Sequence, residues 1–348
     1  MRGLIADLLT DAGVAVVGEA GDGAEALSVV AETRPDVVTM DVEMPGMGGL
    51  EAVERLMAET PTPVLMLSAH TAEGAEVTFE ALERGAVDFF SKPGGEVSTG
   101  VSRESDRLVE AVRSVADADL DAATRDRRDA DETAAASGSR GSTGAAGSSP
   151  PSDGETVDID GPLTVVIGAS TGGPNAVERV LSALPMADCR IVIVQHMPEA
   201  FTSRFADRLD AASAYDVREA SDGARIGAGE AVVARGGSHT RIDSYRAGRL
   251  RVKLDEDDSK SVTPAADVTM RSAAAVVDDP LVGVVLTGMG SDAAAGIRAM
   301  ADAGARTIAQ SEDTCVIYGM PKRAVETGGI DEVCDLDDVA GSIVGGEA

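Results

Sequence analysis

At 348 residues the chain is long enough for two domains, each burying its own core. Its formal net charge of −30, with only Lys92, Lys253, Lys260 and Lys322 as lysines among 30 basic residues, excludes a nucleic-acid-binding surface and fits a protein kept soluble in the high salt of a halophilic host. Cys189, Cys315 and Cys334 are too few and too scattered for a disulfide framework or metal cluster, and no apolar run has the length of a membrane span or the pattern of a signal peptide, so a soluble protein of a reducing cytoplasm is expected.

The chain opens in a helical pattern, Leu4, Ile5, Leu8 and Leu9, closed by Gly13. A strand is predicted over Val14–Val17, a helix over Ala24–Ala31 ended by Pro35, and a buried strand over Val37–Asp41. Then come a helix over Leu50–Met57, a strand over Pro63–Ser68, a helix over Val77–Leu82, a short strand over Ala86–Phe90 running into Lys92-Pro93, and a helix over Asp106–Val115. This alternation predicts a parallel, doubly wound α/β sheet, in which strand ends converge on one crevice. Asp41, Ser68 and Lys92 stand at three successive strand ends. An acid, a hydroxyl and an ammonium meeting there make a phosphoryl-accepting site: the carboxylate attacks, and the other two hold the incoming oxygens.

Residues 1–116 resemble response-regulator receiver domains, through Thr39-Met40-Asp41-Val42-Glu43-Met44-Pro45-Gly46 and the later Ser68 and Lys92-Pro93. The resemblance implies a flavodoxin-like fold, phosphorylation of Asp41 by a chemotaxis histidine kinase with Mg2+, Ser68 and Phe89 as switch residues, Lys92 as the invariant lysine, and a cis bond at Lys92-Pro93. It departs in one respect. Five helices but four strands are predicted, and the strand missing is the first, which in that family carries a pair of acids that hold the metal. Only Asp41 and the backbone carbonyl of Glu43 remain as ligands. The preferred reading is a start assigned too late, because a strand lost from inside a sheet leaves unpaired backbone. The alternative is a truncated receiver that is phosphorylated weakly or not at all.

Residues 117–160 alternate Asp, Arg and Ala and then become rich in Gly, Ser and Ala, the composition of a flexible acidic tether.

From 161 to 348 the βα pattern returns. The apolar run Leu163–Ile167 leads into Gly168-Ala169-Ser170-Thr171-Gly172-Gly173-Pro174 and a helical stretch, Asn175–Leu181. That is a strand, a tight turn and a helix, with a serine exposed where open α/β sheets put their chemistry. No Gly-Lys-Ser/Thr follows, so it is not a P-loop. Further strands are predicted over Arg190–Gln195, Ala231–Ala234, Leu281–Thr287 and Arg306–Gln310, and helices over Phe201–Leu209, Val268–Val277 and Ala293–Ala303. A hairpin turns at Ala247-Gly248. A serine nucleophile needs a base, and the base an orienting acid. His196 follows a strand at the level of Ser170 and is the better-placed base; His239, in a Gly-rich loop, is the alternative. Asp292 follows another strand, where it could equally cap the helix that begins at Ala293. The order Ser, His, Asp differs from the Ser, Asp, His of the α/β-hydrolases.

These segments resemble the catalytic domain of the chemotaxis protein-glutamate methylesterases, the CheB family. The matching motifs are Gly168–Pro174, Gln195-His196-Met197, Gly236-Gly237-Ser238-His239, Leu286–Asp292, Thr307–Gln310 and Tyr318-Gly319-Met320-Pro321; Thr263–Val268 matches more loosely. The resemblance implies a Rossmann-like domain that hydrolyses glutamyl methyl esters on chemoreceptors and also deamidates receptor glutamines. Ser170 would attack, His196 act as base, Asp292 orient it, the Met289 N–H hold the oxyanion, and Thr171 lie beside the nucleophile, with no cofactor for catalysis. The architecture suggests that the unphosphorylated receiver blocks the Ser170 cleft and that phosphorylation of Asp41 weakens the block. The competing readings are a non-catalytic scaffold that binds chemoreceptors and a serine esterase for small molecules.

Overall fold

The computed structural model describes residues 2–69, 71–92, 101–120, 161–256 and 262–345. The chain divides into two compact units, Met1–Leu120 and Asp121–Ala348. His70, the Lys92-Pro93 bond and most of the predicted tether lie outside the described residues. No helix among the described residues is long and apolar enough to cross a membrane.

The first unit alternates helices and strands in the order α1 (Arg2–Asp11), α2 (Gly23–Thr33), β1 (Val38–Asp41), α3 (Gly49–Glu59), β2 (Val64–Ser68), α4 (Ala72–Arg84), β3 (Asp88–Ser91) and α5 (Val101–Ala116). Side-chain caps start two of the helices: Asp22 accepts the Glu25 N–H at 2.9 Å, and Thr71 accepts the Gly74 N–H at 3.0 Å. The strands form a parallel sheet, β1-β2-β3, in which β2 is central and wholly buried. Parallel pairing brings Asp41, Ser68 and Lys92 to one end.

The strand predicted over Val14–Val17 does not form. Its residues follow α1 as extended chain without a ladder, and Val16 and Val17 are 39% and 54% exposed. The physical reason is the lack of a neighbour, since a strand requires a partner for its row of N–H and C=O groups. Between this segment and the outer edge of β1 lies a cavity of about 530 Å³, lined by Leu9, Val14, Val16, Val30, Val38 and Met40. The described strands of the unit thus form a three-stranded flavodoxin-like layer with this cavity beside the edge of β1.

The second unit is built on seven parallel strands: β4 (Leu163–Ala169), β5 (Cys189–Gln195), β6 (Asp216–Glu219), β8 (Glu230–Val233), β11 (Leu281–Val285), β12 (Arg306–Gln310) and β13 (Glu332–Cys334). Their order is β13-β12-β11-β4-β5-β8-β6, so β4 lies at the centre. Every residue of β4, β5 and β11 is buried, which explains why these strands read as largely apolar runs, with Thr164, Arg190 and Gln195 as buried exceptions. The helices α6 (Gly173–Ala183), α7 (Glu199–Ala212), α8 (Ala266–Val276), α9 (Ala294–Asp302), α10 (Met320–Glu326) and α11 (Val339–Val344) complete the layers. A small antiparallel sheet, β7 (Arg225–Ile226), β10 (Arg249–Asp255) and β9 (His239–Arg246), packs Ile226, Ile242, Leu250 and Val252 into the same core. Its hairpin turns at Ala247 and Gly248, both at positive φ, as a two-residue turn requires.

Candidate active site

Ser170 is the first residue beyond the central strand. β4 and β5 pair in register through Ala169 and Gln195, so Ser170 and His196 are the next residues on neighbouring strands, about 5 Å apart along the ladder. The His196 N–H donates to the Ala169 carbonyl at 3.1 Å. On the other side the Ser170 N–H donates to the Thr287 carbonyl at 3.1 Å, beyond the end of β11. The serine is therefore held from both flanks while its side chain stays partly exposed.

The turn after it leaves little choice of residue. Gly172 has φ of 74°, and a Cβ there would lie 2.7 Å from Val316; one at Gly173 would lie 2.1 Å from Gln195 Oε1. Pro174 occupies the first turn of α6, where its missing N–H costs nothing. Among the described residues the N–H groups of Thr171, Gly172 and Met289 find no acceptor. They form the pool of donors available to a reacting oxygen beside Ser170.

His196 Nε2 lies 2.8 Å from Asp292 Oδ2, and both side chains are nearly buried. With Nε2 facing the acid, Nδ1 is the ring nitrogen left for the serine. This orientation is opposite to that of the chymotrypsin triad, in which Nδ1 faces the acid. Ser170 itself forms no side-chain hydrogen bond with His196 here, so the structure closes the His–Asp half of the arrangement and leaves the serine half open. Burial alone would push the Asp292 carboxyl up. The His196 ring, with the Asp267 and Ala266 N–H groups, outweighs burial and holds it below its ordinary value.

Asp292 does not cap the helix that follows it. The N-cap there is Ala293, at φ of 75° with no side-chain cap. The carboxylate instead accepts the Ala266 and Asp267 N–H groups at 2.5 and 3.1 Å, at the start of α8. The loosely matching segment Thr263–Val268 therefore supports the acid. His239, the alternative base, is fully buried, and its Nδ1 already accepts the Ala265 N–H at 3.1 Å.

Other residues of the site stood in the quoted motifs but were given no role by sequence reasoning. Gln195, 2% exposed, donates from Nε2 to the carbonyls of Ser170 at 2.8 Å and His196 at 3.3 Å. Thr287 Oγ1 donates to the Thr171 carbonyl at 3.0 Å, and the Thr287 N–H donates to Gln310 Oε1 at 2.8 Å. The Gly319 and Met320 N–H groups both donate to the Gly288 carbonyl, next to Met289. The signal available was a polar residue ending an apolar strand, as Gln195 and Gln310 do.

In the first unit Lys92 Nζ lies 2.6 Å from both oxygens of Asp41, and the Glu43 N–H donates to Asp41 Oδ1 at 3.0 Å. Ser68 is at the same end but turns away: fully buried, it donates to the Gly74 carbonyl at 3.0 Å and accepts from Thr78 Oγ1 at 2.7 Å. Phe89 packs edge-on against Phe79, with ring centroids 6.4 Å apart. No group of three or more acidic, His or Cys side chains that could hold a metal occurs among the described residues. Among the described residues Asp41 and the Glu43 carbonyl are the oxygens that would help to hold Mg2+, and Asp41 is engaged by Lys92.

A histidine–aspartate pair stands one strand from Ser170 on the parallel sheet of the second unit, and the first unit is a receiver-type layer, which together define a signalling protein of the hydrolase class. Residues 165–343 match the CheB methylesterase family, and residues 1–98 match the response regulator receiver domain. The chain is 56% identical to the protein-glutamate methylesterase/protein-glutamine glutaminase of Haloarcula marismortui, over 99% of this chain and 94% of that protein. It is 53% identical to the protein of the same name from Halobacterium salinarum, with the same coverage. The crystal structure of the Thermotoga maritima CheB methylesterase catalytic domain is 36% identical, with a TM-score of 0.51 over 53% of this chain and 98% of that one. The chain belongs to the CheB methylesterase family.

Proposed function

We propose that the chain hydrolyses glutamyl methyl esters on chemoreceptors and releases methanol, with Ser170 as nucleophile, His196 as base and Asp292 as its orienting acid. The observation that carries this reading is the 2.8 Å His196–Asp292 pair, standing one strand away from Ser170. His196 Nδ1 takes the Ser170 proton as Oγ bonds to the ester carbonyl carbon. The charge that develops on the carbonyl oxygen is met by the Met289 N–H, with the Thr171 N–H beside it. Asp292, held ionised, stabilises the imidazolium at Nε2. The imidazolium then gives its proton to the departing methoxide, methanol leaves, and an acyl-enzyme remains. Water, deprotonated by His196, attacks that ester and restores Ser170. A glutamine side chain can follow the same path with ammonia as leaving group, which gives a second, deamidating activity; relatives carry both activities in their names.

The receiver domain calls for a histidine kinase as phosphodonor, with Asp41 as acceptor and Lys92 neutralising the charge. The test is methanol release from a methylated chemoreceptor by the wild type and by Ser170→Ala. Loss in the variant is the expected result; equal release by both would overturn the assignment and favour a receptor-binding scaffold.

A further inference from the structure

Two helices start beside Asp292, and each is capped by an acid belonging to the other. α8 has no side-chain cap of its own, and its Ala266 and Asp267 N–H groups donate to Asp292. α9 has none from its own N-cap residue, and Asp267 Oδ1 takes that role by accepting the Gly296 N–H at 2.7 Å. A closed ring results. It runs from the Asp292 carboxylate to the Asp267 N–H, through the Asp267 side chain to Gly296, and back along the chain to Asp292. The helices meet closely there, since a Cβ on Gly296 would lie 2.8 Å from Met270 Cβ and 2.9 Å from Asp267 Cα. Asp267 is 8% exposed, and the His196 ring is bonded to Asp292.

We propose that Asp267 is a positioning residue for the reaction: by holding Gly296 it fixes the loop that carries Asp292 and so locks the acid against His196. This rests on the reading of Ser170, His196 and Asp292 as the catalytic set. A carboxylate with three donors is located more tightly than one bonded to a histidine alone, and two of those donors belong to the helix that Asp267 ties down. A cap that served folding only would affect stability and leave the turnover of folded protein unchanged.

The experiment measures kcat and KM for methanol release by the full chain as wild type, Asp267→Ala, Asp267→Asn, Asp292→Asn and the Asp267→Ala/Asp292→Asn double variant. Asp267→Ala is expected to lower kcat about 10- to 100-fold with KM unchanged. Asp267→Asn is expected to stay near wild type, because its amide oxygen still accepts the Gly296 N–H. In the Asp292→Asn background, Asp267→Ala is expected to cost nothing further, the mark of two residues acting as one unit. If Asp267→Ala shows no cooperative unfolding, Asp267→Ser takes its place with the same expectation. An equal loss with and without Asp292, or a wild-type kcat in folded Asp267→Ala, would overturn the proposal. A near-wild-type kcat in Asp292→Asn alone would instead overturn the catalytic set on which it stands.

Discussion

Replacing Gly288 with alanine tests how tightly the serine is held, because the glycine's role there is spatial. Its φ is not in the left-handed region, so the alanine backbone is unstrained, and the only change is the added methyl. That methyl would lie 2.8 Å from Ser170 Cβ, 2.9 Å from Ser170 N and 2.6 Å from Met320 Sδ. Met320 is fully buried and has little room to retreat. Restoring an ordinary carbon–carbon separation of about 3.5 Å from the 2.8 Å contact shifts Ser170 by about 0.7 Å. A displacement of that size at a nucleophile costs about 10- to 100-fold in kcat, or about 1.4–2.8 kcal/mol in the barrier. The overpacking should also cost about 1–3 kcal/mol of stability. Methanol release at saturating substrate reads the first effect and thermal unfolding the second. Gly341→Ala, in the last helix with nothing within 4 Å of the new methyl, is the control and should be neutral or slightly stabilising. A folded Gly288→Ala with kcat within about twofold of wild type would refute the claim that near-attack geometry depends on this contact.

Three further outcomes are expected. Asp292 has a depressed native pKa, so its ionised form contributes stability above the ordinary carboxyl value of 3.8, and that contribution is lost as pH falls through the lower native value. The stability gap between wild type and Asp292→Asn, followed by denaturant unfolding, should therefore be full above pH 3.8 and close below it; a gap that widens towards acid contradicts the assignment. Gln195→Met keeps the bulk but removes the donor shared by the Ser170 and His196 carbonyls; it should lower kcat and cost about 1–3 kcal/mol, read from turnover and urea unfolding. Lys92→Met should change stability by at most about 1 kcal/mol, because the pair with Asp41 is partly exposed, yet abolish phosphoryl uptake at Asp41 from a small-molecule phosphodonor; undiminished uptake would remove Lys92 from the switch.

What could be read from the sequence was what depends on strand ends. Ser170, His196, Asp41 and Lys92 each follow an apolar run, and parallel pairing alone carries them to one edge of their sheet. Val14–Val17 has the same local signature and is not a strand, because pairing is non-local and a residue pattern does not say whether a neighbour exists. The support of Asp292 was illegible for another reason. Ala266 contributes only a backbone N–H, which any residue carries, and Asp267 looks like an ordinary acid in a helix's first turn. The His196 ring orientation likewise depends on where α8 and α9 meet, far apart in sequence from the histidine. The short edge strands β6 and β13 offered too few residues for a period to register.

The strands that lead to Asp41 and to Ser170 differ in how they are paired. Among the described residues the strand that carries Asp41 pairs only with β2, at an edge of its sheet, where amides open more readily than in a central strand. The strand that leads to Ser170 is paired on both sides at the middle of seven. In hydrogen–deuterium exchange, Thr39 and Met40 should take up label through local fluctuations, whereas Val166 and Ile167 should wait for global unfolding. Asp41, the proposed phosphoacceptor, thus ends an edge strand of the described sheet, and Ser170, the proposed nucleophile, follows the most firmly paired one, so the proposed input can yield while the proposed chemistry stays fixed.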